Sequence, residues 1–422
     1  MRRNIVLSCM LIFFCCFFSC SSDENSTKNL LPTTEVSNMS SDTEDIVTDL
    51  STQLYASYSN GQTRALNKSS DGIVTPNYFG GSYFNGSKLV VLIKNNDKQG
   101  IKDVQKRIGT SSFILYEKCS FSLNELNKLN DDLGEIYFNK KSLRDKLGWT
   151  AVGINQMENH VIVYLKELSQ EKISLFKQEV SSSTMIVFEQ MDEIEVLNTV
   201  QPDSIAFYTR AANALTNIHM GSGYTCTKTL QASGSVGFRA KLNGKKGFVT
   251  AAHVLPATNL SVVFNSKTCG TVKKVVKGPS VDAAFVEINE SLFYPTNVTQ
   301  WTKNVLSSSF VSHSSLTGKT VTAEGNTTRK AITGKVTTTE LQYTISCNSV
   351  VGTLNYNIKR GVSATYTNQN TILKSGDSGC IVYDNSKKIC GILSATSYKK
   401  TPAYMIFSSA DLSVKDLGVV IY

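Results

Sequence analysis

The sequence predicts two folded parts in succession: a small α/β domain, then an all-β domain built as two small packed barrels. Three observations carry this. From Gly221 onward the chain consists of short alternating apolar runs broken by Gly, Asn, Ser and Thr, the texture of a barrel or sandwich. Between about residues 85 and 200, strand-like runs instead alternate with helical ones. Finally, 422 residues with 41% hydrophobic and 18% charged content are enough for two or three domains, each with its own core.

In chain order, residues 1–20 read as a targeting segment. Arg2 and Arg3 precede an apolar run, Ile5 to Phe18, that is short for a membrane span and is laid out as a secretory signal. It ends in Ser19-Cys20, which resembles a bacterial lipoprotein cleavage site, where the cysteine is acylated and becomes the new N-terminus. The acidic stretch Ser21–Asn25 resembles the tether of surface-exposed lipoproteins. The expectation is an exported outer-membrane or cell-surface lipoprotein anchored through Cys20, its second domain open to release into the extracellular space, with plain secretion and an unused Cys20 as the alternative. Residues 21–80, rich in Ser, Thr, Asn and Asp, read as a flexible polar linker.

Residues 81–217 hold the α/β domain. Lys88–Lys94 is a strand candidate, and Ser122 with Glu125 forms a capping box ahead of Leu126, Leu129 and Leu133. Trp149–Asn155 and His160–Leu165 read as strands. Ser169 opens a helix that turns Ile173, Phe176 and Val180 inward, and Met185–Glu189 closes a β-β-α-β unit. His160, at a strand start, reads as a structural or solvated histidine. In residues 218–422 the strand candidates are Gly237–Leu242, Leu260–Phe264, Lys319–Ala323, Gly334–Thr338 and Gly391–Ala395.

Charge is uneven. From Ile218 to the end there are 22 Lys and Arg against nine Asp and Glu; the rest of the chain has 21 against 25. The lysines are dispersed and not interleaved with aromatics, which argues against nucleic-acid binding and leaves complementarity between the two parts.

The chemistry-bearing residues are few. Gly376-Asp377-Ser378-Gly379 places a serine between glycines on a tight turn, which exposes its hydroxyl and lets backbone N–H groups converge beside it. The chain has four histidines. His253 follows Ala251 and Ala252, small neighbours that let its ring approach a hydroxyl. Asp282 opens the apolar run DAAFVEI, where a carboxylate is costly unless hydrogen-bonded, and a histidine ring N–H is a suitable partner. The order His, Asp, Ser is that of chymotrypsin-type enzymes rather than subtilisin or the α/β-hydrolases.

On TAAH at 250–253, Val281-Asp282-Ala283 and GDSG at 376–379, residues from about 218 to 422 resemble the chymotrypsin-fold, trypsin-like serine proteases of the bacterial streptogrisin and α-lytic branch. Ser235–Phe238, Glu324–Thr338 and Leu417–Tyr422 resemble barrel strands of that family. Trp149–Phe188 resembles the C-terminal part of its pro-regions. The resemblance implies a chymotrypsin-like double barrel and a serine endopeptidase made as a self-cleaving zymogen. Ser378 would be the nucleophile, His253 the general base and Asp282 its orienting partner. Gly376 and Ser378 N–H would form the oxyanion hole. Ser394 would support the aspartate, with Ala395 and Thr396 on the substrate-binding strand. Ile372, Thr396 and Ala403 would line a pocket for small or medium apolar residues. Proteins or peptides would be substrates, and the preceding domain an intramolecular chaperone and inhibitor, cleaved off near Asn217-Ile218. No cofactor or metal is implied.

Departures from the family pattern are Val254 and Cys380, and the absence of the arginine that pairs with the aspartate of the serine motif, for which Arg329 is a candidate substitute. Cys380 and Cys390 flank a hairpin turn at about Asp384–Ser386 in cross-strand register and are expected to form a disulfide; Cys226–Cys269 is a second candidate pair. The alternative to an enzyme is an inactive protease-like peptide-binding lipoprotein or a surface adhesin.

Overall fold

The computed structural model describes residues 41–59, 75–196, 215–226, 232–399 and 401–422, which belong to one compact unit. The targeting segment and Cys20 lie outside the described residues.

The first part begins with α1 (Ser41–Ser59), β1 (Phe79–Phe84), β2 (Leu89–Lys94), α2 (Lys98–Ile108) and β3 (Ile114–Cys119). Strand β2 pairs antiparallel with β1 and parallel with β3 in a three-stranded sheet. Next come α3 (Leu123–Asn139), α4 (Lys141–Leu147), β4 (Trp149–Asn155), β5 (His160–Leu165), α5 (Gln170–Glu179) and β6 (Ile186–Gln190). The capping box at the start of α3 is formed as expected: Ser122 Oγ accepts from Glu125 N, and the Glu125 carboxylate accepts from Ser122 N. Gly148, with φ 66°, ends α4 in the left-handed region that favours glycine. Ser169 caps α5, whose Phe176 is fully buried against Trp149.

Helix α1 is a correction. It falls within the stretch expected to be a flexible linker. One face, with Val47, Leu54, Tyr55 and Tyr58, packs on Phe79 and the β1–β2 sheet. The other buries Glu44, Thr48 and Ser51 against the second part of the chain. A helix with polar residues on one of two buried faces carries no apolar stripe wide enough to stand out in sequence.

The second part runs β7 (Thr216–Met220), β8 (Gly223–Cys226), β9 (Ser233–Ser235), β10 (Arg239–Leu242), β11 (Lys245–Thr250), β12 (Ser261–Phe264), β13 (Lys267–Lys277), β14 (Asp282–Ile288) and β15 (Phe293–Thr299). It continues with β16 (Thr320–Glu324), β17 (Ala331–Ser349), β18 (Gly352–Tyr366), β19 (Ile381–Asp384), β20 (Ile389–Ser397), β21 (Tyr404–Ser409), α6 (Ala410–Leu417) and β22 (Val420–Ile421). One sheet has the order β22-β10-β11-β14-β13-β12-β8-β9. Successive residues of its strands enter different cores. Phe248, Ala284 and Val286 lie in one, while Val249, Ala283 and Phe285 lie in another shared with Ile381, Ile389, Ile392 and α6. This two-sided burial explains the unbroken apolar run of β14. The other sheet, β16-β19-β20-β21-β18-β17, closes on itself through β16–β17. This is the chymotrypsin-like double-barrel class.

The second barrel also joins the first part. The outer half of β17 pairs with β4, Thr339 opposite Ile154 and Gln342 opposite Val152, so that β4, β5 and β6 extend the same sheet. A shared apolar core of Ala151, Ile162, Tyr164, Leu341, Tyr343, Ile358, Tyr404 and Ile406 fills this junction. On α3, Asn130 Nδ2 donates to Glu340 O at 3.0 Å and Asn130 O accepts from Gln342 Nε2 at 2.8 Å. Helix and strand touch at Gly134, where a Cβ would lie 1.8 Å from Gln342 Oε1. Ion pairs across the junction run from acid in the first part to base in the second: Glu44–Lys319 at 2.9 Å, Asp45–Lys388 at 3.0 Å and Glu135–Lys359 at 2.7 Å. Lys319 is wholly buried between Glu44 and Asp384, with Thr48 Oγ1 as a third acceptor.

Cys380 and Cys390 are free thiols, a second correction. The hairpin between β19 and β20 forms, but Cys380 O accepts from Leu393 N, and a register shift between Val382 and Tyr383 displaces the strands. The two cysteines are therefore not opposite each other, as a short S–S bridge requires. Cys226 and Cys269 are likewise free in the first-barrel core.

Candidate active site

Three loops deliver the site. Strand β11 ends at Thr250, and the fully buried Ala251 and Ala252 lead to His253. Asp282 is the first residue of β14. Ser378 sits after Gly376, whose φ is 95°. A Cβ on Gly379 (φ 82°) would lie 2.0 Å from Thr250 Oγ1, so glycine there lets the serine loop close onto the histidine strand.

These loops bring the three predicted side chains together. His253 Nε2 lies 2.8 Å from Ser378 Oγ and His253 Nδ1 lies 2.5 Å from Asp282 Oδ2. The backbone N–H of His253 donates to Asp282 Oδ1 at 2.8 Å. All three side chains are fully buried. Burial alone would raise the Asp282 carboxyl, yet the facing His253 ring and the hydrogen bonds it receives hold it below its usual value.

One of those donors is not visible in sequence. Tyr356 OH donates to Asp282 Oδ1 at 2.7 Å. Tyr356 stands on β18, and the same strand fixes the turn ahead of Asp282: Lys359 N donates to Pro279 O, and Gly278 passes so close to Asn357 O that a Cβ would lie 2.2 Å from it. Burial, then the Asp282 charge, push the Tyr356 hydroxyl far above its ordinary pKa, so it remains a donor.

Among the described residues, backbone and hydroxyl donors rather than a cation hold Asp377. Its carboxylate accepts from Thr327 N at 2.7 Å, Thr328 N at 3.1 Å, Lys374 N at 2.8 Å and Thr328 Oγ1. Arg329 does not substitute for the family arginine: its Nε donates to Asn326 O. Its φ of 57° belongs to the turn that aims the Thr327–Thr328 backbone at Asp377. Burial raises the Asp377 carboxyl, and the hydrogen bonds offset this only in part. Gly325 makes the space, since a Cβ there would lie 2.3 Å from Asp377 Oδ1. Ser235 pins the serine loop on both sides of Asp377. Its Oγ donates to Gly376 O at 2.9 Å, and its N–H donates to Ser378 O at 2.8 Å.

The other predicted positions lie along β20 and around Tyr366. Ser394 meets Asp282 indirectly: its Oγ is 3.2 Å from Ser408 Oγ, which accepts from Asp282 N at 3.0 Å. Ala395 sits at a register shift against β21 and faces Ile406. Thr396 Oγ1 donates to Tyr404 O and is 3.0 Å from Tyr366 OH. Ala403 and the half-buried Ile372 pack into the core that contains Tyr366 and Leu373. Tyr366 was not anticipated; it adds a ring beside Thr396 and Ala403.

Residues 36–119 match the family model of the Pro-like N-terminal domain, and residues 124–191 that of the Pro-like C-terminal domain. Residues 36–191 are thus similar to a Pro-like region, and they precede the chymotrypsin-like double barrel. Among solved structures, Thermobifida fusca protease A is similar at 20% identity over 49% of this chain and 98% of its own, with a TM-score of 0.39. Cellulomonas bogoriensis chymotrypsin is 20% identical over 49% of this chain and 98% of its own, with a TM-score of 0.38. Nocardiopsis protease is 21% identical over 49% of this chain and 99% of its own, also with a TM-score of 0.38. No curated protein sequence matches the chain. The Pro-like C-terminal domain is the part that supplies β4 to the second barrel.

Proposed function

We propose that the chain is a serine endopeptidase made as a zymogen. The observation that carries this reading is the 2.8 Å approach of His253 Nε2 to Ser378 Oγ, with Asp282 on the opposite ring nitrogen. Ser378 Oγ attacks the scissile carbonyl carbon as His253 Nε2 takes its proton. Negative charge on the carbonyl oxygen is met by the N–H groups of Gly376 and Ser378, each such donor being worth roughly 10²–10³ in rate. Collapse expels the amine, which leaves with the proton from His253. A water, deprotonated by His253, then attacks the acyl group and releases Ser378. Asp282 holds the Nδ1–H tautomer and stabilises the imidazolium throughout.

The Pro-like region acts as the chaperone and inhibitor, and cleavage matures the enzyme. The bond Asn217–Ile218 lies inside β7, paired with β15, and Ile218 is buried, so the cut falls upstream of Leu215 instead. The crowding of Thr396, Ala403 and Tyr366 favours small or medium apolar residues before the cleaved bond. Export through residues 1–20 and acylation of Cys20 would place the chain on a cell surface; a Cys20→Ala variant that still incorporates labelled fatty acid would exclude that.

The test is the intact mass of residues 21–422, wild type beside Ser378→Ala, with fluorophosphonate labelling. Splitting of the wild type alone and a label on Ser378 are expected. A chain that neither splits nor takes the label is the inactive peptide-binding protein instead.

A further inference from the structure

Beyond β6 and the end of the Pro-like match, the chain continues along the chymotrypsin-like domain as an extended peptide. Glu195 exchanges both main-chain hydrogen bonds with Thr396: Glu195 N donates to Thr396 O at 2.8 Å, and Thr396 N donates to Glu195 O at 2.9 Å. The pairing is antiparallel. Ser397 Oγ donates to Asp192 O at 3.1 Å. An extended chain paired antiparallel in this register runs from Thr396 toward Ser394, two residues back along β20. Ser394 reaches Asp282 through Ser408. An extended chain added to this strand is thus directed at the Ser378–His253 pair, with main-chain bonds supplying affinity and side-chain contacts supplying selectivity.

The side chain at the bridge has its own recognition. Tyr398 OH donates to Glu195 Oε2 at 2.9 Å, and Lys399 Nζ pairs with Glu195 Oε1. Both donors follow directly on β20, so they are held in register with the main-chain bridge. A tyrosine hydroxyl and an ammonium converging on one carboxylate favour an acidic residue and oppose a basic one.

We propose that Tyr398 and Lys399 form a subsite for an acidic side chain, two positions before the residue whose carbonyl Ser378 attacks. Glu195 occupies it in the zymogen, and Glu or Asp of an extended protein substrate takes its place after maturation. This rests on the serine-endopeptidase reading and adds its substrate class. Lys399 is half exposed, so the expected discrimination is about fivefold per charge, the upper range for such a pair.

The test uses residues 21–422 as wild type, Glu195→Lys, Lys399→Glu and the double exchange, each with a fluorophosphonate probe. Both single variants should label Ser378 about fivefold faster than wild type, and the double exchange should return toward it. After processing, peptides with Glu at that position should be cleaved about fivefold better than peptides with Lys, through KM, and Lys399→Glu should invert the order. Equal labelling rates together with indifference to Glu or Lys would overturn the subsite while leaving the nucleophile intact. No label on any of the four chains would overturn the serine-endopeptidase reading itself, and the subsite with it.

Discussion

Replacing Tyr356 by phenylalanine deletes one O–H and leaves the ring, so it isolates the 2.7 Å bond to Asp282 Oδ1. Asp282 is fully buried and no water can substitute without opening the site. A hydrogen bond to a charged group is worth about 1.5–3 kcal/mol. Oδ1 keeps the His253 N–H as a donor, which puts the expected cost at the low end, about 1.5 kcal/mol, or roughly tenfold in kcat/KM. The loss should fall on kcat, because Tyr356 orients the base rather than the substrate. A variant within twofold of wild type would show that Tyr356 only packs there.

Glu44→Ala leaves Lys319 with Asp384 and Thr48 Oγ1; we expect about 1.5–3 kcal/mol of destabilisation, the worth of one hydrogen bond between charged groups, read as a lower urea midpoint of the full chain, and no change would show that α1 is not docked there. Thr328→Val removes a donor from Asp377 and should lower kcat/KM roughly tenfold. The Asp377 carboxyl is raised above 3.8 in the folded chain, so its contribution to stability is full below 3.8 and declines as pH rises through the folded value; Thr328→Val should enlarge that decline, whereas Asp282, held below 3.8, contributes above 3.8 and loses its share only as pH falls. Reductant should leave the melting temperature unchanged, because Cys380 and Cys390 are free; a mapped 380–390 crosslink would contradict this.

His253, Asp282 and Ser378 were legible because each needs particular neighbours: small alanines before the ring, an apolar strand after the carboxylate, glycines around the hydroxyl. Ser235, Thr328 and Tyr356 were not, because each contributes one polar atom from a distant stretch. Ser235 lies 141 residues from Gly376, and Tyr356 lies 74 from Asp282. Nothing local marks such a residue. The capping box and the β-β-α-β unit could be read directly, since caps and periodicity are local. The reach of β17 and β18 was not, because only the start of β17 shows the Gly-Thr pattern; their outer halves are specified by β4 and the shared core. The disulfide expectation failed for a related reason: spacing suggests a hairpin, but the turn closes between Asp384 and Lys388 and the register sets Ile381 opposite Ile392, so Cys380 meets Leu393 and not Cys390.

Strand β17 would carry a further cost in an enzyme that had shed the Pro-like region. While β4 lies beside its outer half, backbone groups there have a neighbour; without β4 that flank would be an open sheet edge, a template on which any extended chain can add. Natural edges are blunted by bulges and charge, and β17 has both: register shifts after Val336, Thr338 and Leu341, and Glu340 in the left-handed region with φ 50°. The irregularities that admit β4 at only two positions also discourage a second protease molecule from stacking there. The edge that loss of the Pro-like region would bare is thereby a poor seed for aggregates.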